Sequence, residues 1–346
     1  MPDLITLTID GVEVKAAPGT TILRAALERG IYIPHLCDHP DLEPVGVCRL
    51  CLVEIEGRRP TVSCKTPVEE GMVVHTSTPD LERTRRVNLE LLVASHDYNC
   101  QFCARNTRCK LQEVTRYVGL QQEDMDRLRK PPLDQPLDDS NPFFVRNMNK
   151  CVLCGICVRT CAEIQGDGCI DFAYRGIRTK ISVMGDGPIA ESTCVSCGEC
   201  VARCPVGALV PKKAEEPSYE VETVCPFCGC GCGIIVGARG GRIVSSRAVP
   251  GHPASGGSLC VKGRFGLGFV NHPDRLKTPL IRRGGKLVEA SWEEAVSLVA
   301  ERLSRYSGAQ LAVIASAKCT VEDNYVLQKF ARAVLGTNNI DHCARL

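Results

Sequence analysis

CVLCGICVRTC at residues 151–161 and CVSCGECVARCP at residues 194–205 decide the reading of this chain. Each is a run of Cys-x2-Cys-x2-Cys-x3-Cys, so three thiols share one short loop and a fourth leaves on the segment that follows. Paired runs of this spacing hold two [4Fe-4S] clusters, the fourth Cys of each run binding the other cluster. The expected sets are Cys151, Cys154, Cys157 and Cys204 for one cluster, and Cys161, Cys194, Cys197 and Cys200 for the other. Structural zinc also takes four thiolates, but it gives no reason for the crossed spacing to occur twice. Cys169 is out of register and is expected to be a buried small hydrophobe.

The rest of the composition sets the compartment. The chain has 346 residues with 23 Cys, and 42 Lys and Arg stand against 40 Asp and Glu. No long block of either sign occurs, which argues against nucleic acid or a charged membrane surface as partner. The start, MPDLITLTIDG, reads as a strand and carries no export signal. No apolar run reaches the ~18 residues of a bilayer span, so no membrane insertion is expected. A cytoplasmic location follows as an expectation, and in a reducing compartment dense cysteines are metal ligands rather than disulfides.

The paired runs occupy a module at 143–211. Upstream, residues 1–78 read as a small α+β unit: LITLTID alternates, Asp10-Gly11 makes a hairpin turn, and VEVKA returns. Thr20 or Thr21 then caps a short helix with Ile22, Leu23, Ala26 and Leu27 on one face, closed by Gly30. Strand, strand, helix is how a ferredoxin-type β-grasp begins. Cys37, Cys48, Cys51 and Cys64 lie within it and are read as [2Fe-2S] ligands, with zinc as the alternative. Residues 79–135 are expected to be mostly helical, with Val87, Leu91 and Leu92 at helical spacing. They end in His96-x3-Cys100-x2-Cys103-x5-Cys109. One imidazole and three thiolates suit zinc or iron. The position between two cluster-bearing modules favours a [4Fe-4S] cluster on His96, Cys100, Cys103 and Cys109; the plainer role for His96 is a helix cap. RKPPLDQPLDDSNP at 129–142 reads as a connector.

Downstream, residues 218–275 open with CPFCGCGC and close with CVKGRFG. Cys225, Cys228, Cys232 and Cys260 make a further [4Fe-4S] set. Cys230 is taken as the non-ligand, with a swap against Cys232 left open. Lys262 is either a solvated lysine or a fixed charge beside the cluster that aids electron transfer to a cofactor. Between these motifs a hairpin is expected at Gly240-Gly241. From 276 to 346, Ser291 and Glu294 form a capping box. The strand LAVIA (311–315) and a helix bearing Val326, Leu327, Phe330, Ala331 and Val334 begin an α/β layer. The five ligand sets leave Cys169, Cys230, Cys319 and Cys343 over.

These modules resemble a known family over nearly the whole chain. The first three are similar to the cluster-bearing half of the large subunit of respiratory complex I and of iron-only hydrogenases. CPFCGCGC and CVKGRFG resemble the opening of molybdenum or tungsten bis-pterin oxidoreductases, and the likeness carries the electron-transfer and cofactor-contacting role onto Lys262. TPLIRRGGK, SWEEAV and NNIDHCARL are especially similar to NAD(P)-linked formate dehydrogenases. The fold implied is multidomain α+β: a β-grasp [2Fe-2S] domain, a one-histidine/three-cysteine cluster domain, a two-cluster ferredoxin-like domain, and the incomplete start of a molybdopterin oxidoreductase fold. The resemblance implies one [2Fe-2S] and four [4Fe-4S] clusters, with bis-molybdopterin guanine dinucleotide carrying Mo or W in the intact enzyme. It also implies formate and CO2 as substrates and a flavin- and NAD(P)-binding diaphorase-type partner, with a hydrogenase or ferredoxin as alternatives. In that family the metal-binding Cys or selenocysteine directly follows DHCARL. This sequence ends at Leu346, so an automated stop at a selenocysteine codon is expected, and no catalytic residue and no formate oxidation are expected of these residues alone. The rival readings are a non-catalytic electron-transfer subunit and a complex I-like large subunit.

Overall fold

Asp10 and Gly11 both take left-handed φ, 48° and 79°, the backbone of a two-residue hairpin turn. The turn joins β1 (Ile5–Ile9) to β2 (Val12–Ala16) in antiparallel register, Ile9 opposite Val12. The helix α1 (Ile22–Glu28) follows, with the Thr21 hydroxyl accepting the Arg24 N–H at 3.4 Å and Gly30 leaving at φ 75°. The strands β3 (Leu52–Ile55), β4 (Thr61–Val62) and β5 (Val73–His75) complete a five-stranded sheet of order β2-β1-β5-β3-β4. Within it β1 and β5 run parallel, and β3 runs antiparallel to β5. One helix on a mixed sheet is the β-grasp arrangement. Its core joins Leu7, Ile9, Val14, Val53 and Val74 of the sheet to Ile22, Leu23 and Ala26 of the helix, and includes Cys51 and Cys64. This computed structural model describes residues 4–131, 134–213 and 215–342, and the chain divides into two compact units, Met1–Lys213 and Ala214–Leu346.

The first unit continues into α2 (Pro79–Val93), α3 (Lys110–Val118) and α4 (Gln122–Arg127). Hydrophobic spacing misleads on α2: Val87 and Leu91 are exposed, while Leu81, Leu89 and Val93 are buried together with Arg85 and Glu90. The reason is polar. Arg85 donates to the carbonyls of Leu50, Leu52 and Thr76 at 3.0, 2.6 and 2.6 Å, and Glu90 pairs with Arg127. Helix α2 is therefore clamped to the loop between Cys48 and Cys51 through its charged face.

Next come β6 (Phe144–Arg146), α5 (Ile156–Arg159), β7 (Ile170–Ala173), β8 (Lys180–Val183), α6 (Glu199–Arg203) and β9 (Leu209–Pro211). β6 pairs with β9 and β7 with β8, both antiparallel. The two Cys runs fold as copies: Leu153 and Ser196 take φ of 54° and 57°, Gly155 and Gly198 take 70° and 74°, and each pair opens a short helix. The first copy continues as a π-helix, Thr160–Gln165. The segment expected to be a connector is instead stitched to this module. Asp138 bridges to Arg146 at 3.1 Å and accepts the Ile189 N–H at 3.0 Å, while Gln135 accepts from Asn149 at 2.8 Å. Polar and Pro-rich composition marks a chain without periodicity, and here Gln135 and Asp138 find their hydrogen-bond partners in neighbouring elements.

In the second unit β10 (Tyr219–Val224), β11 (Gly233–Arg239) and β12 (Arg242–Ala248) form an antiparallel sheet turned at Gly240 and Gly241, φ 55° and 74°. After α7 (Val261–Phe265) come β13 (Leu280–Arg283) with β14 (Lys286–Glu289), and α8 (Trp292–Leu303). The expected capping box at α8 is half formed. Ser291 accepts the Glu294 N–H at 3.1 Å, but the Glu294 carboxylate turns to Arg283. Then β15 (Val313–Ala315), α9 (Val321–Ala333) and β16 (Ile340–His342) follow, β15 and β16 parallel. Among the described residues no helix is long and apolar enough to cross a membrane.

Candidate metal centres

In the β-grasp module, Cys37, Cys48, Cys51 and Cys64 are all buried. Arg49, in the left-handed region at φ 55°, turns the chain between the tight pair, and the Ser63 hydroxyl donates to the Cys51 carbonyl at 2.8 Å. The thiols interact pairwise, Cys37 with Cys48 and Cys51 with Cys64, and Cys37 reaches the second pair electrostatically. A hydrogen bond from Cys48 lowers the Cys37 pKa to about 6, and one from Cys64 lowers that of Cys51 to about 7. Their partners shift upward for the complementary reason. Four buried sulfurs sharing protons are the donor set a thiolate-bound cluster takes.

His96 lies just beyond the end of α2, where its backbone N–H donates to the Val93 carbonyl at 3.0 Å and so closes the helix through its main chain. It lines a cavity of about 590 Å³ together with Cys100, Cys103, Cys109 and Gly207. Burial lowers its pKa to about 4, keeping the ring neutral. The imidazole hydrogen-bonds the backbone of Lys150, and its Nδ1 is buried without a hydrogen-bond partner. An unpaired buried nitrogen on a residue that lines one cavity with three cysteines fits a metal ligand and is costly otherwise. The donors themselves suit either zinc or a cluster.

The paired runs gather in the crossed sense. Cys151, Cys154, Cys157 and Cys204 line one cavity, together with Cys200. Cys161, Cys194, Cys197 and Cys200 line the other, with Cys169 among them. Burial raises the pKa of Cys151 to about 11 and pushes Cys154, Cys157, Cys200 and Cys204 upward, each further raised by neighbouring thiols or, for Cys204, opposed by Arg105. The amides of Leu153 and Ser196 approach the Cys151 and Cys194 sulfurs at 3.4 Å in both copies. Cys169 is not the buried hydrophobe expected from register. It is half-buried, its Sγ 3.6 Å from that of Cys161, because the chain folds back at Gly166 and Gly168. No spacing rule carries that signal.

The sites of this unit are joined by direct contacts. Arg159 of α5 donates to the carbonyls of Cys37 and Glu43, both at 2.6 Å, and Arg203 of α6 pairs with Asp41 at 2.7 Å. Cys37 is near enough to raise the Cys154 pKa electrostatically. On the other side, Lys110 donates to the Pro205 carbonyl at 2.9 Å and Arg105 to that of Val201 at 3.0 Å.

In the second unit Cys225 is buried, Cys232 half-buried, and Cys228, Cys230 and Cys260 exposed. Cys228, Cys230 and Cys260 act electrostatically on Cys225, so all lie in one locality. The Cys230 and Cys232 sulfurs are 3.5 Å apart, so proximity alone does not separate ligand from bystander. Lys262 is exposed, on α7 directly after Cys260. Cys319 is exposed, and Cys343 lies outside the described residues.

Family profiles match in the same order along the chain. They are a 2Fe-2S iron-sulfur cluster binding domain (3–79), the NADH-ubiquinone oxidoreductase-G iron-sulfur binding region (85–124) and a 4Fe-4S dicluster domain (150–208). The molybdopterin oxidoreductase Fe4S4 domain (219–272) and molybdopterin oxidoreductase (275–346) follow. A chain of the NAD+-reducing [NiFe]-hydrogenase in its H2-reduced state aligns at 34% identity and TM-score 0.55, over 61% of this chain and 88% of that one. The chain belongs to the iron–sulfur-rich family of molybdopterin oxidoreductases and NADH-quinone oxidoreductase-G proteins. Within this family it is 38% identical to an NADH-quinone oxidoreductase-G protein of Rhizobium meliloti, over 99% of this chain and 40% of that protein. It is 37% identical to the alpha chain of the NADPH-Fe(3+) oxidoreductase of Geobacter sulfurreducens and 34% identical to a putative formate dehydrogenase of Bacillus subtilis, each over 99% of this chain and 40% of the relative. The chain thus spans about 40% of the length of these relatives. Its domain content indicates one 2Fe-2S-type and several 4Fe-4S-type clusters.

Proposed function

We propose that this chain is the electron-relay part of a family oxidoreductase, carrying single electrons between a flavin- and NAD(P)-binding partner and a molybdopterin-type catalytic layer. The observation that supports it best is the gathering of donors at successive sites within the first unit, with Arg159 and Arg203 tying one site to the next. In this reading Cys37, Cys48, Cys51 and Cys64 hold [2Fe-2S]. His96, Cys100, Cys103 and Cys109 hold [4Fe-4S]. The crossed sets around Cys204 and Cys161 hold two more, and Cys225, Cys228, Cys232 and Cys260 the last. The bound clusters supply one-electron storage. The chain's own groups fix spacing, exclude water and aim amides at sulfur, which tunes potential. Lys262 provides positive charge beside the Cys260 site, where the cofactor layer begins.

For the intact protein we assign formate as substrate and CO2 as product, on the likeness to formate dehydrogenases. A second reading has a specific observation behind it: the 38% identical NADH-quinone oxidoreductase-G relative. In that case the relay serves an NADH-linked enzyme without a formate site. The chain, reconstituted anaerobically, should hold ~18 iron and ~18 sulfide; far less, with zinc in place, would refute the relay. The full-length product should contain Mo or W and oxidise formate. A metal-free pterin layer with NADH-linked electron transfer would establish the second reading instead.

A further inference from the structure

Five thiols surround a site that needs four. Cys161, Cys194, Cys197 and Cys200 line the same cavity as Cys169. The fifth is held there by backbone geometry. After the π-helix Thr160–Gln165 the chain reverses through Gly166 and Gly168, at φ 78° and 63°. The amides of Asp167 and Gly168 both donate to the Cys161 carbonyl, at 3.1 and 3.3 Å. These two hydrogen bonds to one carbonyl close a tight loop and return the Cys169 Sγ to 3.6 Å from Cys161. Cys169 also hydrogen-bonds Cys194. The ligating atoms of Cys161, Asp167 and Cys169 all lie within 4.8 Å of one another.

We infer that Cys169 is a reserve ligand of the second [4Fe-4S] site, able to replace Cys161 on the same iron. The inference rests on the cluster assignment made above. Cys161 is the resting ligand because it is the fourth Cys of the first run, the position that binds the other cluster of a pair, whereas Cys169 lies outside that spacing. The exchange involves no electron transfer. The Cys161 iron–sulfur bond breaks and that sulfur takes a proton; Cys169 gives up its thiol proton and its sulfur forms the new bond. The Asp167 carboxylate lies within 4.8 Å of both sulfurs and carries the proton between them once its side chain rotates to hydrogen-bonding distance. A cluster so placed survives alkylation or oxidation of Cys161, which would strip an ordinary four-thiolate site.

The test uses the whole chain, loaded anaerobically, as wild type, C161A and C161A/C169A. Iron and sulfide are counted, and free thiols are mapped by iodoacetamide labelling and mass spectrometry. C161A is expected to keep the wild-type ~18 iron. The double variant should lose between about one and four iron atoms. Cys169 should be alkylated in the loaded wild type and protected in loaded C161A. Equal iron loss in both variants, or Cys169 still alkylated in C161A, overturns the inference. Should C161A not accumulate as folded protein, C161S carries the same labelling comparison, since a thiolate outcompetes a hydroxyl at iron. A wild type that does not load iron defeats the relay reading itself, whereas a loaded wild type with a depleted C161A defeats only the reserve ligand.

Discussion

Replacing Gly207 by Ala should empty one centre and leave the fold standing. A Cβ at this position would lie 2.5 Å from the Cys103 Sγ and 3.4 Å from a side-chain carbon of Lys150. Non-bonded heavy atoms settle at roughly 3.5–4.0 Å, so the sulfur must retreat by about 1 Å or more. Rotation about the Cys103 side chain achieves this for about 1 kcal/mol. Metal–ligand distances, however, tolerate only about 0.2 Å, so the His96 site cannot close. Gly207→Ala should therefore lose about four of the ~18 iron atoms per chain, with the electron paramagnetic signal of that one reduced cluster gone and the others retained. Melting of the metal-free chain should move little. Full iron loading with an unchanged spectrum would refute the placement of Cys103 as a ligand and of Gly207 as its spacer.

Other consequences can be measured directly. Arg85→Met leaves three buried carbonyls without their charged donor and should destabilise the first unit by about 3–5 kcal/mol, read by faster hydrogen exchange of the α2 and β3 amides. Cys232→Ala should remove about four iron atoms while Cys230→Ala removes none; the reverse pattern would exchange their roles. In the metal-free chain, His96 has a folded pKa of about 4 against an ordinary 6.5. Between those values the unfolded state binds more protons, so this contribution is complete above pH ~6.5 and is lost as pH falls through ~4, by about 3 kcal/mol. His96→Gln should flatten that part of the stability profile, measured by urea unfolding at stepped pH.

Much of the architecture is legible in short-range chemistry. Asp10-Gly11 and Gly240-Gly241 announce their hairpins because left-handed backbone suits few other residues. The paired Cys runs foretell their matching loops because that geometry is local, and their crossed gathering because the fourth Cys of each run leaves on the segment that follows. What hides from the sequence is decided by partners distant along the chain. Arg85 reads as a surface charge until three carbonyls meet it, and Glu294 reads as a box residue until Arg283 draws it away. Cys169 escapes every spacing rule because its position depends on a π-turn and two left-handed glycines, none of which has a periodic signature. The connector escaped for the opposite reason: its lack of pattern concealed specific pairings of Gln135 and Asp138 with the neighbouring module.

Arg159 has a kinetic consequence. Tunnelling between redox centres decays exponentially with their separation, so a relay is only as fast as its most variable gap. By grasping the Cys37 and Glu43 carbonyls from a helix that itself carries Cys157, this guanidinium would act, on the proposed assignment of clusters, as a fixed-length strut between two of those sites. In the proposed relay, thermal breathing of the β-grasp module would then leave that spacing, and with it the current, steady.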